Sequence, residues 1–344
     1  MAYENKQNLL KPKSFDRLEQ TVLYQVIPLV GHIQLAAFQS SDVQTMLNTL
    51  KKNGLSYKNG KKNDSGGTMK NLDRIYTKAD LLEQLSQLNI PRNRVVMVHT
   101  ALRLIGKVEG GAQTVLDALI EYFTYDGGLL CIPTHTWKNF NKEITLDMGD
   151  PTTCLGAFPD FAAADPRGVR SENPTHSVVV FGDREKALKL IADDACVTGG
   201  TDPESCYGKL YHEKGYVLLV GVSQTRNTYL HTAEEMVGIG NRLSDELYPV
   251  KVKRKSGEIV NRKMKWFHTD YHRDICLRFP KYETPFRYYG AITDGFLGNA
   301  PVQACDAVIM KEAVELIFKN NHGEDPLIKE DPFLPSLYCS ANRG

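Results

Sequence analysis

A glycine-rich turn between a predicted strand and a predicted helix has the residue types to bind an anion. The apolar residues 95–98 come before the turn, Gly106 and the pair Gly110-Gly111 lie within it, and an amphipathic segment, 114–122, follows. Glycines at such a junction let backbone N–H groups approach an anion closely, and the helix dipole favours the negative charge. The turn therefore predicts a phosphate or pyrophosphate site.

Four separated motifs follow one another along the chain, each at a predicted junction between elements. They read VHTALR at 98–103, IPTHTW at 132–137, RSENPTHS at 170–177 and NTYLHTAE at 227–234. From about residue 69 to the end, this series resembles the aminoglycoside 3-N-acetyltransferase family. The resemblance implies acetyl transfer from acetyl-coenzyme A, as co-substrate, to an amine. We expect the 3-amino group of a 2-deoxystreptamine antibiotic, and hence antibiotic resistance, with another amine as the alternative acceptor.

The resemblance also implies that coenzyme A binds at the glycine-rich turn. A guanidinium there suits phosphate oxygens, glycine N–H groups suit a pyrophosphate, and apolar side chains suit the pantetheine arm. The residues that the resemblance assigns to this contact are Thr100, Leu102, Arg103, Gly110, Gly111 and Ala112, and Thr134 of the next motif is added to them.

A general base is needed because an amine attacks a thioester only after losing its extra proton, and histidine is suited to that task. The resemblance expects this histidine immediately before the proline of the third motif, where the chain has Asn173, whose amide accepts no proton at neutral pH. His176 with Glu234 is our first prediction. His231, on the same helical face as Glu234, is the alternative. Loss of the base, or a histidine that only satisfies a buried hydrogen bond, also stays open.

A polycationic acceptor requires carboxylates near the thioester. The loop after Trp137 is long, polar and suited to specificity. The segment 134–137 follows a predicted strand, where its side chains could line an acyl channel. The predicted acceptor-binding residues are Trp137, Asp147, Asp150, Glu235 and Asp294.

Two other enzyme classes fit the sequence less well. His268 and His272 stand at i, i+4, a spacing that suits zinc on a helix, but the glutamate of a His-Glu-x-x-His motif is absent, and the flanking aromatic residues favour a strand. We therefore predict no metal. The glycine signature of the Gcn5-type acetyltransferases is absent too, so an enzyme using acetyl-coenzyme A here would have a different fold.

The composition indicates a protein without a general affinity for nucleic acid or membranes. The chain has 344 residues, 42% of them hydrophobic, and a net charge of +1, so recognition of a charged partner must be local. No apolar run reaches about 18 residues, which argues against a membrane span. Seven cysteines without a Cys-x-x-Cys spacing predict reduced thiols and a cytoplasmic location. The sequence leaves the oligomeric state open.

The first 68 residues differ from the rest in charge and pattern. They hold nine Lys and Arg against five Asp and Glu. Stretches such as FDRLEQT at 15–21 and GHIQL at 31–35 are similar to part of the core-binding domain of phage-type tyrosine recombinases. We predict a helical segment, 1–57, a flexible linker, 58–68, and an acetyltransferase domain, 69–344. Residues 1–57 would be an integrase remnant or an ordinary helical extension. A DNA-binding protein with an inactive acetyltransferase-like domain is the non-enzyme alternative.

The alternation of short apolar runs with amphipathic segments predicts an α/β fold, a mixed sheet flanked by helices, preceded by the short helical extension. The family resemblance implies that this fold is of the antibiotic N-acetyltransferase type. A basic, glycine-interrupted stretch, 251–264, predicts a solvated hairpin. Strands are predicted at 95–99, 129–133, 177–181 and 216–222, and helices at 77–88, 112–122, 184–192, 230–237 and 307–319.

Overall fold

The computed structural model describes residues 74–240, 242–267, 274–329 and 331–339. The segments 1–57 and 58–68 and the pair His268 and His272 lie outside the described residues. The helices are α1 Lys78–Ser86, α2 Leu102–Ile105, α3 Gly111–Thr124, α4 Ala157–Ala164, α5 Arg184–Leu190, α6 Cys206–His212, α7 Tyr229–Met236, α8 Glu283–Tyr288 and α9 Ala307–Asn320. The strands are β1 Ile75–Tyr76, β2 Val95–Thr100, β3 Lys107–Val108, β4 Leu129–Pro133, β5 Leu146–Asp147, β6 Val169–Arg170, β7 Val178–Gly182, β8 Tyr216–Val220, β9 Leu243–Lys253, β10 Ile259–Phe267, β11 Ile292–Leu297 and β12 Ala300–Asp306.

A seven-stranded mixed sheet, in the order β11-β12-β8-β2-β4-β7-β6, forms the centre of the fold. Strand β2 pairs in parallel with both β4 and β8, and the pairs at either side are antiparallel. The predicted α/β class with a mixed sheet is therefore confirmed.

Helices cover both faces of this sheet because its central strands are apolar on both sides. Val96 and Val98 of β2 pack in one core with the side chains of α1, α3 and α4. Val95 and Met97, which alternate with them, pack in the other core with α5, α6, α7 and α9. Burial on both faces fixes the strand register, since a one-residue slip would exchange the two cores.

The predicted elements agree with the observed ones to within a few residues. Helix α1 begins with a capping box, in which Thr77 and Asp80 exchange side-chain and backbone hydrogen bonds. The basic stretch at 251–264 forms the turn and adjoining strands of the long antiparallel pair β9 and β10, to which β5 adds in parallel. The strand pair β11 and β12 and the helices α4 and α6 had no counterpart in the sequence prediction.

The four sequence motifs meet at one edge of the central sheet. Strands β2, β4 and β8 run in the same direction, so their carboxyl ends lie together there. Strand β7 is antiparallel to β4 and begins at this edge, with Pro133 opposite Val178. Ligand sites of α/β sheets form outside the carboxyl ends of parallel strands.

Candidate active site

The N-terminus of α3 opens on a cavity of about 550 Å³. Gly110 (φ 73°) and Gly111 (φ 64°) are both left-handed and turn the chain into the helix, and no side chain caps the first N–H groups of α3. Uncapped N–H groups at the positive end of a 14-residue helix suit a phosphate. The cavity is lined by residues of three segments, 100–108, 111–115 and 155–159.

The cavity has the polar and apolar groups that coenzyme A requires. The Thr100 hydroxyl is buried and has no hydrogen-bond partner in the structure, so a ligand donor or acceptor could satisfy it. The Arg103 side chain is exposed at the rim, while Leu102 and Phe158 supply apolar wall. Thr100, Leu102, Arg103, Gly111 and Ala112 therefore lie together as predicted, and Gly110 adjoins them as the N-cap.

Thr134 lies elsewhere and does not line this cavity. It is fully buried, its hydroxyl is 2.9 Å from the Ser177 hydroxyl, and its carbonyl accepts a hydrogen bond of 2.7 Å from Ser177. These bonds tie the end of β4 to the start of β7. The prediction that Thr134 contacts coenzyme A is not supported by this placement, because its polar atoms are already used.

His176 stands in the turn just before β7 and is partly exposed. Its Nδ1 is 2.9 Å from the Thr175 hydroxyl, and none of the residues that the structure describes is hydrogen-bonded to its Nε2. Burial lowers the pKa of His176 to about 4, so the imidazole is neutral at pH 7. A neutral imidazole whose Nδ1–H is donated to a hydroxyl carries its lone pair on Nε2 and can accept a proton there.

Asn173, which stands where the resemblance expects a histidine, shapes this turn. Its Oδ1 accepts hydrogen bonds from the backbone N–H groups of His176 at 3.0 Å and Thr175 at 3.3 Å, and its Nδ2 donates to the Gly200 carbonyl at 2.8 Å. The side chain is fully buried. Asn173 therefore positions the backbone of His176 and takes no proton itself.

Gly200 leaves the space that the His176 imidazole fills. A Cβ at Gly200 would stand 2.1 Å from Nδ1 and 2.7 Å from Cε1 of His176. Any side chain at this position would displace the ring, so the backbone of Gly200 forms one wall of the imidazole site.

A second imidazole, His135, lies beside His176 with a ring-centroid distance of 4.5 Å. Its Nε2 is 2.6 Å from the Tyr207 hydroxyl, which in turn donates to the His176 carbonyl at 3.2 Å. His135 is buried, and burial together with the neighbouring His176 places its pKa well below the usual value. His135 therefore stays neutral.

A family model described as aminoglycoside 3-N-acetyltransferase matches residues 97–319. The chain belongs to this family.

Relatives of the chain carry the same name. It is 29% identical over 178 residues to the SPbeta prophage-derived aminoglycoside N(3')-acetyltransferase-like protein YokD of Bacillus subtilis, covering 46% of this chain and 64% of that protein. It is 28% identical over 250 residues to aminoglycoside N(3)-acetyltransferase III of Pseudomonas aeruginosa, covering 67% of this chain and 89% of that protein.

Solved structures share the fold of the chain. A mutant of aminoglycoside acetyltransferase AAC(3)-IVa in complex with a gentamicin matches with a TM-score of 0.60 at 22% identity, over 73% of this chain and 91% of that one. The binary complex of AAC-IIIb with CoASH matches with a TM-score of 0.60 at 23% identity, over 74% and 99%. The antibiotic N-acetyltransferase type of fold is therefore confirmed.

The sequence predicts that the Glu234 carboxylate pairs with an imidazole, but in the structure its partners are other side chains. It is fully buried and receives hydrogen bonds from Arg242 at 2.8 and 3.1 Å and from the Tyr282 hydroxyl at 3.1 Å. Arg242 also pairs with Asp325 at 2.6 Å. The expected contact between Glu234 and a histidine is absent among the described residues because the guanidinium occupies both carboxylate oxygens. Burial raises the pKa of Glu234, and Arg242 opposes that shift.

His231 is buried among aromatic rings, with Phe267 at 4.3 Å and Phe279 at 4.8 Å between centroids. Its Nε2 is 3.0 Å from the Cys276 sulfur, and its Nδ1 is buried without a partner. Burial lowers its pKa well below the usual value. His231 is less accessible to an acceptor than His176, so His176 stays the first choice for the base.

Of the predicted acceptor carboxylates, Glu235 is the one bonded to the segment that borders the His176 ring. Its carboxylate accepts a 2.7 Å hydrogen bond from Thr201, next to Gly200, and burial raises its pKa to about 7. Asp147 instead pairs with Lys253 at 3.0 Å. Asp150 accepts from the Thr152 N–H at 2.8 Å, and Asp294 on the edge strand β11 pairs with Arg287 at 2.6 Å.

Aromatic side chains stand near this edge of the sheet. Trp137 opens a short 3-10 turn, 137–139, and is 42% exposed, so it is no core residue. Phe140 directly after the turn packs edge-on against Trp266 of β10 at 4.5 Å. Strand β10 reaches the imidazole site through Lys265, whose N–H donates to the Thr198 carbonyl at 2.8 Å.

Sequence reasoning placed His135 only in the segment predicted to line the acyl channel, and it missed Tyr207 and Gly200 as parts of the site. His135 belongs to the second of the four motifs, and its place after a strand end was a usable signal. Tyr207 and Gly200 lie in segments without a motif. Only the tertiary structure brings these two residues to His176.

The described residues lack two kinds of feature. No group of three or more His, Cys, Asp or Glu side chains there could hold a metal ion. No described helix combines the length and apolar character that crossing a bilayer demands.

Proposed function

We propose that the chain transfers the acetyl group of acetyl-coenzyme A to the 3-amino group of a 2-deoxystreptamine aminoglycoside and so confers resistance. The observation that carries the proposal is the position of the α3 cavity and the partly exposed His176 at the same edge of one sheet. Family membership supports it, as do the CoASH bound to AAC-IIIb and the gentamicin bound to AAC(3)-IVa. The seven free thiols suit the cytoplasm.

In this proposal the α3 N-terminus and Arg103 hold the phosphates of coenzyme A. The uncapped N–H groups at Gly111 and Ala112 donate to phosphate oxygens, and the guanidinium adds a charge-assisted contact. The orphan hydroxyl of Thr100 and the apolar wall receive the pantetheine arm. The bound co-substrate supplies an electrophilic thioester carbonyl.

His176 acts as the base of the acceptor amine. Its Nε2 takes the proton that the amine loses as its nitrogen bonds to the acetyl carbon, while Nδ1–H stays bonded to Thr175. The C–S bond of the thioester breaks, the coenzyme A thiolate leaves, and the His176 imidazolium returns the proton to it. The pKa of about 4 keeps the lone pair available at neutral pH but makes the imidazole a weak base. Proton transfer therefore depends on holding the amine and Nε2 in contact, which is the role of the surrounding turn.

The acceptor site lies between Glu235, Trp137 and the β9–β10 pair. Glu235 supplies a carboxylate for an ammonium group of the antibiotic, and Trp137 offers an exposed ring for a sugar face. Asp147, Asp150 and Asp294 also make bonds within the protein, and their contact with an acceptor remains a prediction.

The test is a thiol-release assay with acetyl-coenzyme A across aminoglycosides and simple amines, followed by NMR assignment of the acetylated nitrogen. Acetylation at the 3-amino group of 2-deoxystreptamine compounds is the expected result. Release of thiol only with other amines would replace the acceptor class. No release with any amine, despite coenzyme A binding, would contradict the activity itself.

A further inference from the structure

The Tyr207 hydroxyl links the His135 imidazole to the backbone of His176 from inside the core. Tyr207 lies on α6, is fully buried, and reaches His135 Nε2 at 2.6 Å and the His176 carbonyl at 3.2 Å. The ring of His135 stands 4.5 Å from that of His176, at an interplanar angle of 53°. The proposed function uses neither Tyr207 nor His135.

We propose that Tyr207 and His135 are positioning residues that hold the His176 imidazole in its base-competent orientation. This inference rests on the proposed function, since it specifies how the base of that reaction is kept in place. Neither residue takes the proton of the acceptor.

The hydrogen bonds of this group run in one direction. The His176 carbonyl can only accept, so the single proton of the Tyr207 hydroxyl is donated to it. The hydroxyl oxygen then accepts from His135, whose Nε2 must carry the hydrogen. His135 is therefore fixed as the Nε2–H tautomer, and the backbone of His176 is tied to the ring that lies against its own side chain.

The surroundings keep this arrangement uncharged. Burial places the pKa of Tyr207 well above its usual value and that of His135 well below, so neither group ionises near neutral pH. His135 thus presents a neutral ring to His176 near neutral pH. A neutral aromatic face tolerates the positive charge that His176 gains on accepting a proton, whereas an imidazolium would repel it.

Neighbouring residues therefore hold both the ring and the backbone of His176. Gly200 and His135 contact the ring, Thr175 bonds Nδ1, and Asn173 bonds the backbone N–H. Loss of the Tyr207 hydroxyl would release the His135 ring and leave the His176 carbonyl without this donor. This loss should slow the chemical step but leave coenzyme A binding unchanged, because none of these residues lines the α3 cavity.

The experiment compares Tyr207→Phe with Tyr229→Phe. Tyr229 is also fully buried and donates to a backbone carbonyl, that of Ala307, at 2.8 Å, so it matches the loss of one buried hydroxyl bond. We expect Tyr207→Phe to lower kcat about tenfold by misplacing the base, with the KM for acetyl-coenzyme A unchanged. Tyr229→Phe should reduce thermal stability similarly while keeping kcat.

A double variant tests whether the two residues act through one bond. His135→Phe keeps a planar ring beside His176 and removes the Nε2 donor. If both residues act through the same hydrogen bond, the double variant Tyr207→Phe/His135→Phe should have a kcat no lower than that of the more impaired single variant. Losses that multiply, or equal loss of kcat in Tyr229→Phe, would overturn the inference.

A readout that needs no acetyl transfer separates this inference from the proposed function. Modification of His176 by diethyl pyrocarbonate, followed by peptide mass spectrometry across pH, reports the neutral imidazole directly. In the wild type, His176 should keep reacting well below pH 6. In Tyr207→Phe the loosened ring is hydrated, so its reactivity should be lost at a higher pH, near the ordinary pKa of histidine. Identical profiles would overturn the inference. An inactive wild type with the expected profiles would count against the proposed function only.

Discussion

Replacing Gly200 with alanine should disable the base without unfolding the protein. The added Cβ would lie 2.1 Å from Nδ1 of His176, whereas ordinary contact begins at 3.4 Å, so the ring must move by about 1.3 Å. Misplacement of a reacting group by about 1 Å costs about 100-fold in rate, equivalent to about 2.7 kcal/mol in the barrier. The bond from Nδ1 to Thr175 would be lost with the same movement.

The measurement is steady-state kinetics of Gly200→Ala with acetyl-coenzyme A and a 2-deoxystreptamine acceptor. We expect kcat to fall about 100-fold, with the KM for acetyl-coenzyme A unchanged, because Gly200 does not line the α3 cavity. Gly240→Ala is the matched control, since a Cβ there meets nothing within 4 Å. If Gly200→Ala keeps the wild-type kcat, the imidazole is not held where catalysis needs it and the assignment of His176 is refuted.

Three further predictions concern charge and pH. Arg103→Ala should weaken coenzyme A binding about tenfold through loss of a charge-assisted phosphate contact, measured by calorimetry, and an unchanged Kd would exclude Arg103 from the site. The acceptor affinity of the wild type relative to Glu235→Gln should grow from pH 6 to pH 8, since the Glu235 pKa of about 7 makes the carboxylate form over this range; a constant ratio of the Kd values would contradict the role. Burial lowers the pKa of His99 from 6.5 to about 3. The free energy of unfolding should therefore fall as pH drops below 6.5, because the unfolded chain binds a proton at His99 that the folded protein does not. Between pH 7 and pH 4.5, the free energy of unfolding measured with urea should fall about 2.5 kcal/mol less in His99→Leu than in the wild type. Equal falls in the two proteins would contradict burial of His99 in a neutral form.

The central elements of the fold could be predicted because their apolar patterns are strong. Strands such as β2 and β4 are continuous apolar runs, and α3 and α9 are long amphipathic segments. The pair β11 and β12 was missed because exposed residues such as Asp294 and Phe296 interrupt its pattern. Helix α4 was missed because its sequence, AFPDFAAA, contains a proline within the first turn.

The anion site was predictable from sequence because it is local. Its glycines, its helix N-terminus and Arg103 lie within a few residues of one another, so spacing alone brings them together. The same holds for the turn that carries His176. Asn173 departs from the family pattern there, and the structure gives it a structural role, because its amide is aimed at backbone groups of the turn.

The partners of the charged residues were not predictable, since they come from distant segments. Arg242, which pairs with Glu234, also pairs with Asp325, 83 residues later, and Asp147 pairs with Lys253, 106 residues later. Which carboxylates remain available to a ligand depends on these pairings. Periodicity within one segment carries no information about them.

Acetyl transfer by His176→Gln is the measurement that tests the account most directly. The wild type and the variant are mixed with acetyl-coenzyme A and an aminoglycoside in a single turnover, after calorimetry has shown that both bind coenzyme A. We expect acetylated acceptor from the wild type and a rate at least about 100-fold lower in the variant, the range of general-base catalysis. Equal transfer rates would show that another group removes the proton, with His231 as the next residue to test.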